Sequence, residues 1–193
     1  MKPLEITDLV DIAAYELERQ EFRSKILNLK RARRVQVGEL ITLVFENRDT
    51  VWFQIQEMMR AERIVRPDRV AEELSTYNQL IPEPGCLSAT LFIEIQDQVN
   101  LRSILNQFIG IDHGGTTWLT LGDESVEGVY EGGHSKENRV SAVHYVTFKM
   151  SAPQIATFNT PGQRITITVD HGDYFHTVEL PRVVQERLID DLN

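Results

Sequence analysis

The stretch from Leu40 to Ile64 constrains the fold most. Ile41, Leu43 and Phe45 alternate with Leu40 and Val44, so a strand over Ile41 to Glu46 is apolar on both faces. Such a strand is usually covered on both sides, by a layer or a partner sheet above and below. Asn47 or Asp49 then supplies the cap for a helix to about Ile64. At about 100° per residue, Val51, Trp52, Ile55, Met58 and Met59 form one apolar sector of that helix. Gln56, Arg60 and Arg63 line an adjacent flank, and Glu57 lies across from the sector. Glu62 falls near the middle of the apolar sector. A buried carboxylate needs a partner or a proton. Glu62 is therefore expected to pair with an arginine such as Arg33, Arg34 or Arg66, to serve as a metal ligand or general base, or to lie past the helix end.

The rest of the chain alternates helical and extended patterns. Thr7-Asp8 reads as an N-cap, followed by Leu9, Ile12 and Ala13 and then by Phe22, Ile26 and Leu29 at helical spacing. These predict an N-terminal helical hairpin or one kinked helix. Val35 to Gly38 starts a short strand, Pro67 opens a helix at its first turn, and Ala89 to Ile95 alternates as a strand. A helix through Leu101, Leu105 and Phe108 ends at Gly110. Strands are predicted over Thr117–Leu121, Val126–Glu131, Ser141–Met150, Arg164–Asp170 and Tyr174–Leu180. Pro153–Phe158 is a short helical link, and Pro181–Leu192 a closing amphipathic helix. Helices and strands mix early and segregate late, which favours an α+β fold: a mainly antiparallel sheet with N-terminal helices and a C-terminal amphipathic helix, in one domain over 1–193.

Composition excludes more than it proposes. One cysteine, Cys86, in what reads as an exposed loop, allows no intrachain disulfide and fits a reducing cytoplasm. No apolar run approaches the roughly 20 residues of a membrane span. A net charge of −9 argues against nonspecific nucleic-acid binding. The local exception, Lys30-Arg31-Ala32-Arg33-Arg34, reads as cations at a helix C-terminus or as an anion patch. No aromatic residues interleave there to stack bases.

The chemistry-bearing candidates are few. The histidines are His113, His134, His144, His171 and His176, with no local metal motif. His144 shares a strand face with Ala142, Val146, Phe148 and Met150, so alternation turns it inward, as a core histidine or a site residue. His171, between Asp170 and Asp173, suits an oxygen/nitrogen site for iron, manganese or zinc, or is simply a polar turn. His171 and His144 meet only if their strands pair. His134 sits in the polar loop Glu131–Arg139, and His176 is expected inward beside Tyr174 and Val178. The metal candidates are His144, His171, Asp170 and Glu62. Any pocket is expected on the polar face of the Gln54–Arg63 helix, from Gln54, Glu57, Arg60 and Arg63, together with His144.

The chain resembles a bacterial family classed as a domain of unknown function. Arg33-Arg34-Val35 with Gly38, Thr42 to Glu46, and Gln54-Ile55-Gln56-Glu57-Met58 with Arg60 and Glu62 carry the resemblance. So do Tyr77-Asn78, Leu80-Ile81-Pro82, Ala89-Thr90-Leu91 with Ile93-Glu94, Ser141 to His144, and Asp170-His171 with Tyr174. Gly172 departs from the family's pattern. The resemblance implies a single domain whose gene tends to lie near those of rubrerythrin-like proteins and iron–sulfur oxidoreductases. Three readings follow: an accessory or binding protein of a redox system, a metal-dependent enzyme or metal-binding protein, and a small-anion module using Arg31, Arg33, Arg34, Arg60 and Arg63. A redox protein is the expected partner, and a homodimer is compatible with the general prevalence of two-fold assemblies.

Overall fold

The computed structural model describes residues 1–132 and 140–192. Among the described residues, eight strands form one sheet: β1 (Arg34–Val37), β2 (Ile41–Phe45), β3 (Cys86–Ile93), β4 (Thr117–Leu121), β5 (Glu124–Tyr130), β6 (Val143–Lys149), β7 (Ile165–His171) and β8 (Tyr174–Glu179). Their order is β1-β2-β3-β6-β5-β4-β7-β8, and every neighbouring pair is antiparallel. The sheet curls until β1 and β8 approach each other, giving a nearly closed barrel. Among the same residues six α-helices accompany it: α1 (Ile12–Arg31), α2 (Arg48–Glu62), α3 (Pro67–Tyr77), α4 (Leu101–Asn106), α5 (Ala152–Phe158) and α6 (Arg182–Leu192). The α+β, mainly antiparallel reading holds.

Two connections break the neighbour-to-neighbour order, and each closes one mouth of the barrel. The β3-to-β4 crossing carries α4 and a 3-10 turn at Ile111–His113, and sets Phe108 and Ile111 into the core. The β6-to-β7 crossing carries α5 and sets Phe158 into the core. Because β3 and β6 run antiparallel, their ends lie at opposite mouths. α6 joins α5 with Val184, Leu188 and Leu192.

Alternation explains the barrel interior. Leu43, Leu91, Val146, Phe148, Leu119 and Ile167 point inward into one apolar core. A second core lies outside the sheet, where Val51, Ile55 and Met59 of α2 and Val70 and Leu74 of α3 pack with Leu80 and Ile81. All five residues of β2 are buried, as a strand apolar on both faces requires.

Two local expectations change, and a choice between two caps is settled. α1 is one unbroken helix capped by Asp11, whose carboxylate accepts from the Ala13 and Ala14 amides; Thr7-Asp8 instead forms a 3-10 turn. Cys86 is buried at the start of β3 rather than in an exposed loop, and burial pushes its thiol pKa up. Asn47 is the α2 cap, in a reciprocal box with Thr50. Among the described residues no helix is long and apolar enough to cross a membrane.

Candidate functional site

The polar face of α2 is committed to holding α1. Glu57 accepts from the Tyr15 hydroxyl at 2.7 Å and from Arg19 Nε and Nη2, both at 2.8 Å. The Arg19 guanidinium holds the Glu57 carboxyl below its usual range, while burial and Glu57 push the Tyr15 phenol up. Arg60 clasps Glu16 through two contacts, at 2.5 and 3.1 Å. Gln56 trades two hydrogen bonds with the Val10 backbone. Gln54 lies beside the Tyr145 phenol instead.

Glu62 is exposed. It is the last residue of α2, because Arg63 turns into the left-handed region at φ 53° and ends the helix there, leaving Glu62 at the exposed helix end. The arginines expected to pair with it go elsewhere: Arg33 to Asp191, Arg34 to Glu94 and Arg66 to Asp68. Arg63 is exposed at the same corner. The basic run 30–34 is therefore split between the end of α1 and two ion pairs.

His144 lies inside the barrel, only 1% exposed, on the opposite face of β6 from Tyr145 and hence from α2. The candidate pocket residues of α2 and His144 thus do not share one pocket. The His144 Nε2 sits 2.8 Å from the Ser141 carbonyl. A carbonyl only accepts, so Nε2 carries the proton, and a second proton can be held only at Nδ1. Nδ1 lies 3.7 Å from Asp112 Oδ2, and the Asp112 side chain is 6% exposed. Asp112 Oδ1 is buried without a hydrogen-bond partner among the described residues. The Tyr130 ring meets the imidazole edge-on, with centroids 6.1 Å apart. Its hydroxyl lies 2.5 Å from Thr117 Oγ1, and burial raises its pKa. A carboxylate, an imidazole and a phenol thus gather at the mouth covered by the β3-to-β4 crossing. Sequence reading missed Asp112 and Tyr130: the first sits in a 3-10 turn without periodicity, the second only looks like one more strand aromatic.

His171 faces inward at this same mouth but stacks on Phe108, with ring centroids 6.4 Å apart. Two strands, β5 and β4, separate its strand from that of His144. Asp170, its neighbour along β7, points to the opposite face and is exposed. His144, His171, Asp170 and Glu62 therefore do not converge. Among the described residues no three His, Cys, Asp or Glu side chains gather as a metal site. His176 lies against Tyr174 at 4.5 Å between ring centroids, but it is exposed. His134 lies outside the described residues.

A separate apolar groove of about 240 Å³ opens where the start of α1, the end of α2 and the start of α3 meet. Leu9, Ile12, Met59, Ile64 and Val70 line it, with Asp11 its single charged residue. Ile6 and Val65 stand on its rim, 50% and 73% exposed.

The family described as "Protein of unknown function (DUF3501)" matches residues 3–192. The chain belongs to this family. A crystal structure described as a novel protein of unknown function, from Burkholderia pseudomallei K96243, superposes with a TM-score of 0.91 at 28% identity, covering all of both chains. No curated protein matches the chain.

Proposed function

We propose that this chain is an accessory binding protein of a redox system, docking a partner protein through the apolar groove at the α1–α2–α3 corner. The observation that carries the reading is the groove itself. Large apolar side chains left in water at the rim of an apolar concavity mark interaction surfaces, and Ile6 and Val65 hold that position. The redox character of the partner rests on the gene neighbourhood that the family resemblance implies.

The other two readings have less support. A metal centre with an open position takes about three protein ligands, and Asp112 and His144 supply two. For an anion site, Arg33, Arg34 and Arg60 are each already matched by a carboxylate.

The test is a calorimetric titration of the purified protein with the rubrerythrin-like and iron–sulfur proteins of its gene neighbourhood. Saturable binding, weakened roughly tenfold or more by Val65→Glu, is expected for a rim residue of the docking surface. No binding by the native chain, or equal binding by the variant, overturns the reading.

A further inference from the structure

One face of α1 is turned to α2 and the opposite face is turned to water. Tyr15 and Phe22 meet Trp52, and Arg19 meets Glu57, on the covered side. On the other side Ala13, Leu17, Gln20, Ser24, Leu27 and Arg31 recur at alternating steps of four and three, which draws one stripe along a helix. All six are exposed, Leu17 by 89% and Leu27 by 44%. Either leucine alone would be unremarkable on a surface. Their placement is the informative point: they stand at equal distances on either side of Phe22, near the middle of the helix. Between them the stripe is polar but satisfied, since the Ser24 hydroxyl donates to the Gln20 carbonyl at 2.8 Å.

α1 is also divided electrically. Residues 12–21 carry Glu16, Glu18 and Glu21 against the single cation Arg19. Residues 22–31 carry Arg23, Lys25, Lys30 and Arg31 and no acid. The dipole of the helix accounts for Lys30 and Arg31 in its last turn. It does not account for the acids, because its influence fades within a turn and the first turn of α1 holds none. Pairing within the chain accounts for Glu16, with Arg60, and for Glu21, with Lys25. Glu18, Arg23, Lys30 and Arg31 belong to no ion pair among the described residues.

We propose that this stripe is the interface of a two-fold dimer, in which α1 of one chain lies antiparallel on α1 of a second copy with the axis level with Phe22. In that register Leu17 meets Leu27 of the second copy on both sides of the axis, and Gln20 meets Ser24 of the second copy. The acidic half of each helix then lies along the basic half of the other. Parallel packing would lay acid on acid and base on base, so the charge pattern selects the antiparallel dimer. The contact follows about 30 Å of helix. With two leucines from each copy it falls at the small end of specific interfaces, which makes the dimer a reversible one. This goes beyond the partner-docking reading and uses a different surface.

Sedimentation velocity of the full chain from about 1 μM to about 1 mM spans the affinities of a contact this small. A concentration-dependent step from monomer to dimer is expected, and it should weaken as salt rises. Leu17→Glu should weaken the dimer roughly tenfold or more and leave thermal unfolding of the dilute chain unchanged, because Leu17 is exposed. Two charge-reversed chains carry the test independently of that variant: Glu18→Lys with Glu21→Lys, and Arg23→Glu with Arg31→Glu, all at exposed positions. Each alone should self-associate less than the native chain, and their equimolar mixture should associate more than either. Val65→Glu, which tests the groove, should leave the dimer intact, so the two surfaces fail separately. A native chain that stays monomeric throughout, undiminished association of folded Leu17→Glu, a dimer abolished by Val65→Glu, or a mixture no better than its components overturns the inference.

Discussion

Arg33 and Asp191 form a two-pronged ion pair, at 2.5 and 2.8 Å, with side chains only 5% and 4% exposed. Burial pushes the Asp191 carboxyl pKa up against the pull of Arg33. Such a pair adds little net stability, yet removing one partner strands a buried charge. Asp191→Asn is therefore expected to destabilise the fold by about 3–5 kcal/mol, measured by denaturant unfolding, whereas an apolar replacement of both residues should be far milder. Neither residue could be matched from sequence, because 158 positions separate them. Arg33 read as part of a basic run and as one candidate partner for Glu62, not for Asp191. Glu62 failed for the opposite reason: the local pattern was extrapolated one turn too far, since an arginine in the left-handed conformation gives no warning in sequence. His144 was legible as inward-facing because strand alternation is strict, but its partner Asp112 was not, because a 3-10 turn has no period to read.

At the scale of elements, α1 and α2 are joined by an aromatic cluster, Tyr15 and Phe22 against Trp52, and by a set of polar contacts beside it. Along α1, only Tyr15 and Ile26 are fully buried. The Tyr15–Glu57–Arg19 cluster and the Arg60–Glu16 pair supply the register that a wide apolar stripe would otherwise set. Glu57→Gln should lower stability at neutral pH by about 1 kcal/mol, after allowance for its partial exposure. The pH dependence has a definite sign. The folded-state pKa of Glu57 is depressed, so its contribution is present above the unfolded carboxylate value and is lost as pH falls through the folded value. The difference between native and Glu57→Gln unfolding free energies should therefore shrink on acidification; a difference constant with pH would contradict this. The polar face of α2 was legible from its helical wheel, and its dedication to α1 was not, because a wheel locates residues on one helix without naming the neighbour. The strands were the most readable elements. Thr117–Leu121 was placed to the residue, since alternation of Thr117, Leu119 and Leu121 with Trp118 and Thr120 has one reading.

Across the whole molecule, the seam between β1 and β8 decides whether the barrel holds its shape. No ladder of backbone bonds joins these strands. The Tyr174 hydroxyl instead donates to the Val37 carbonyl at 2.5 Å and accepts from the Leu40 and Ile41 amides at 3.2 Å. The turn must come close for this. At Gly38, φ is +72°, and an added Cβ would strike the Tyr174 hydroxyl and lie 2.6 Å from the His176 ring. Gly38→Ala is thus expected to cost about 1–3 kcal/mol through backbone strain and this clash. Tyr174→Phe should keep the packing while exposing the Leu40 and Ile41 amides to faster hydrogen exchange, read by NMR. Unchanged protection at those amides would show that the phenol does not fasten the seam. Gly38 and Tyr174 both appeared among the residues carrying the family resemblance, yet their meeting across the ring was invisible in sequence.

The same hydroxyl sets an order of events for a chain made from its N-terminus. Tyr174 and Val37 lie 137 residues apart, so ring closure must wait until β8 has left the ribosome. Until then β1 presents an open edge, and open edges recruit other strands. A chain that stops before β8 keeps both borders of the sheet open for good. Premature termination near the C-terminus should therefore yield a self-associating species rather than a merely less stable monomer.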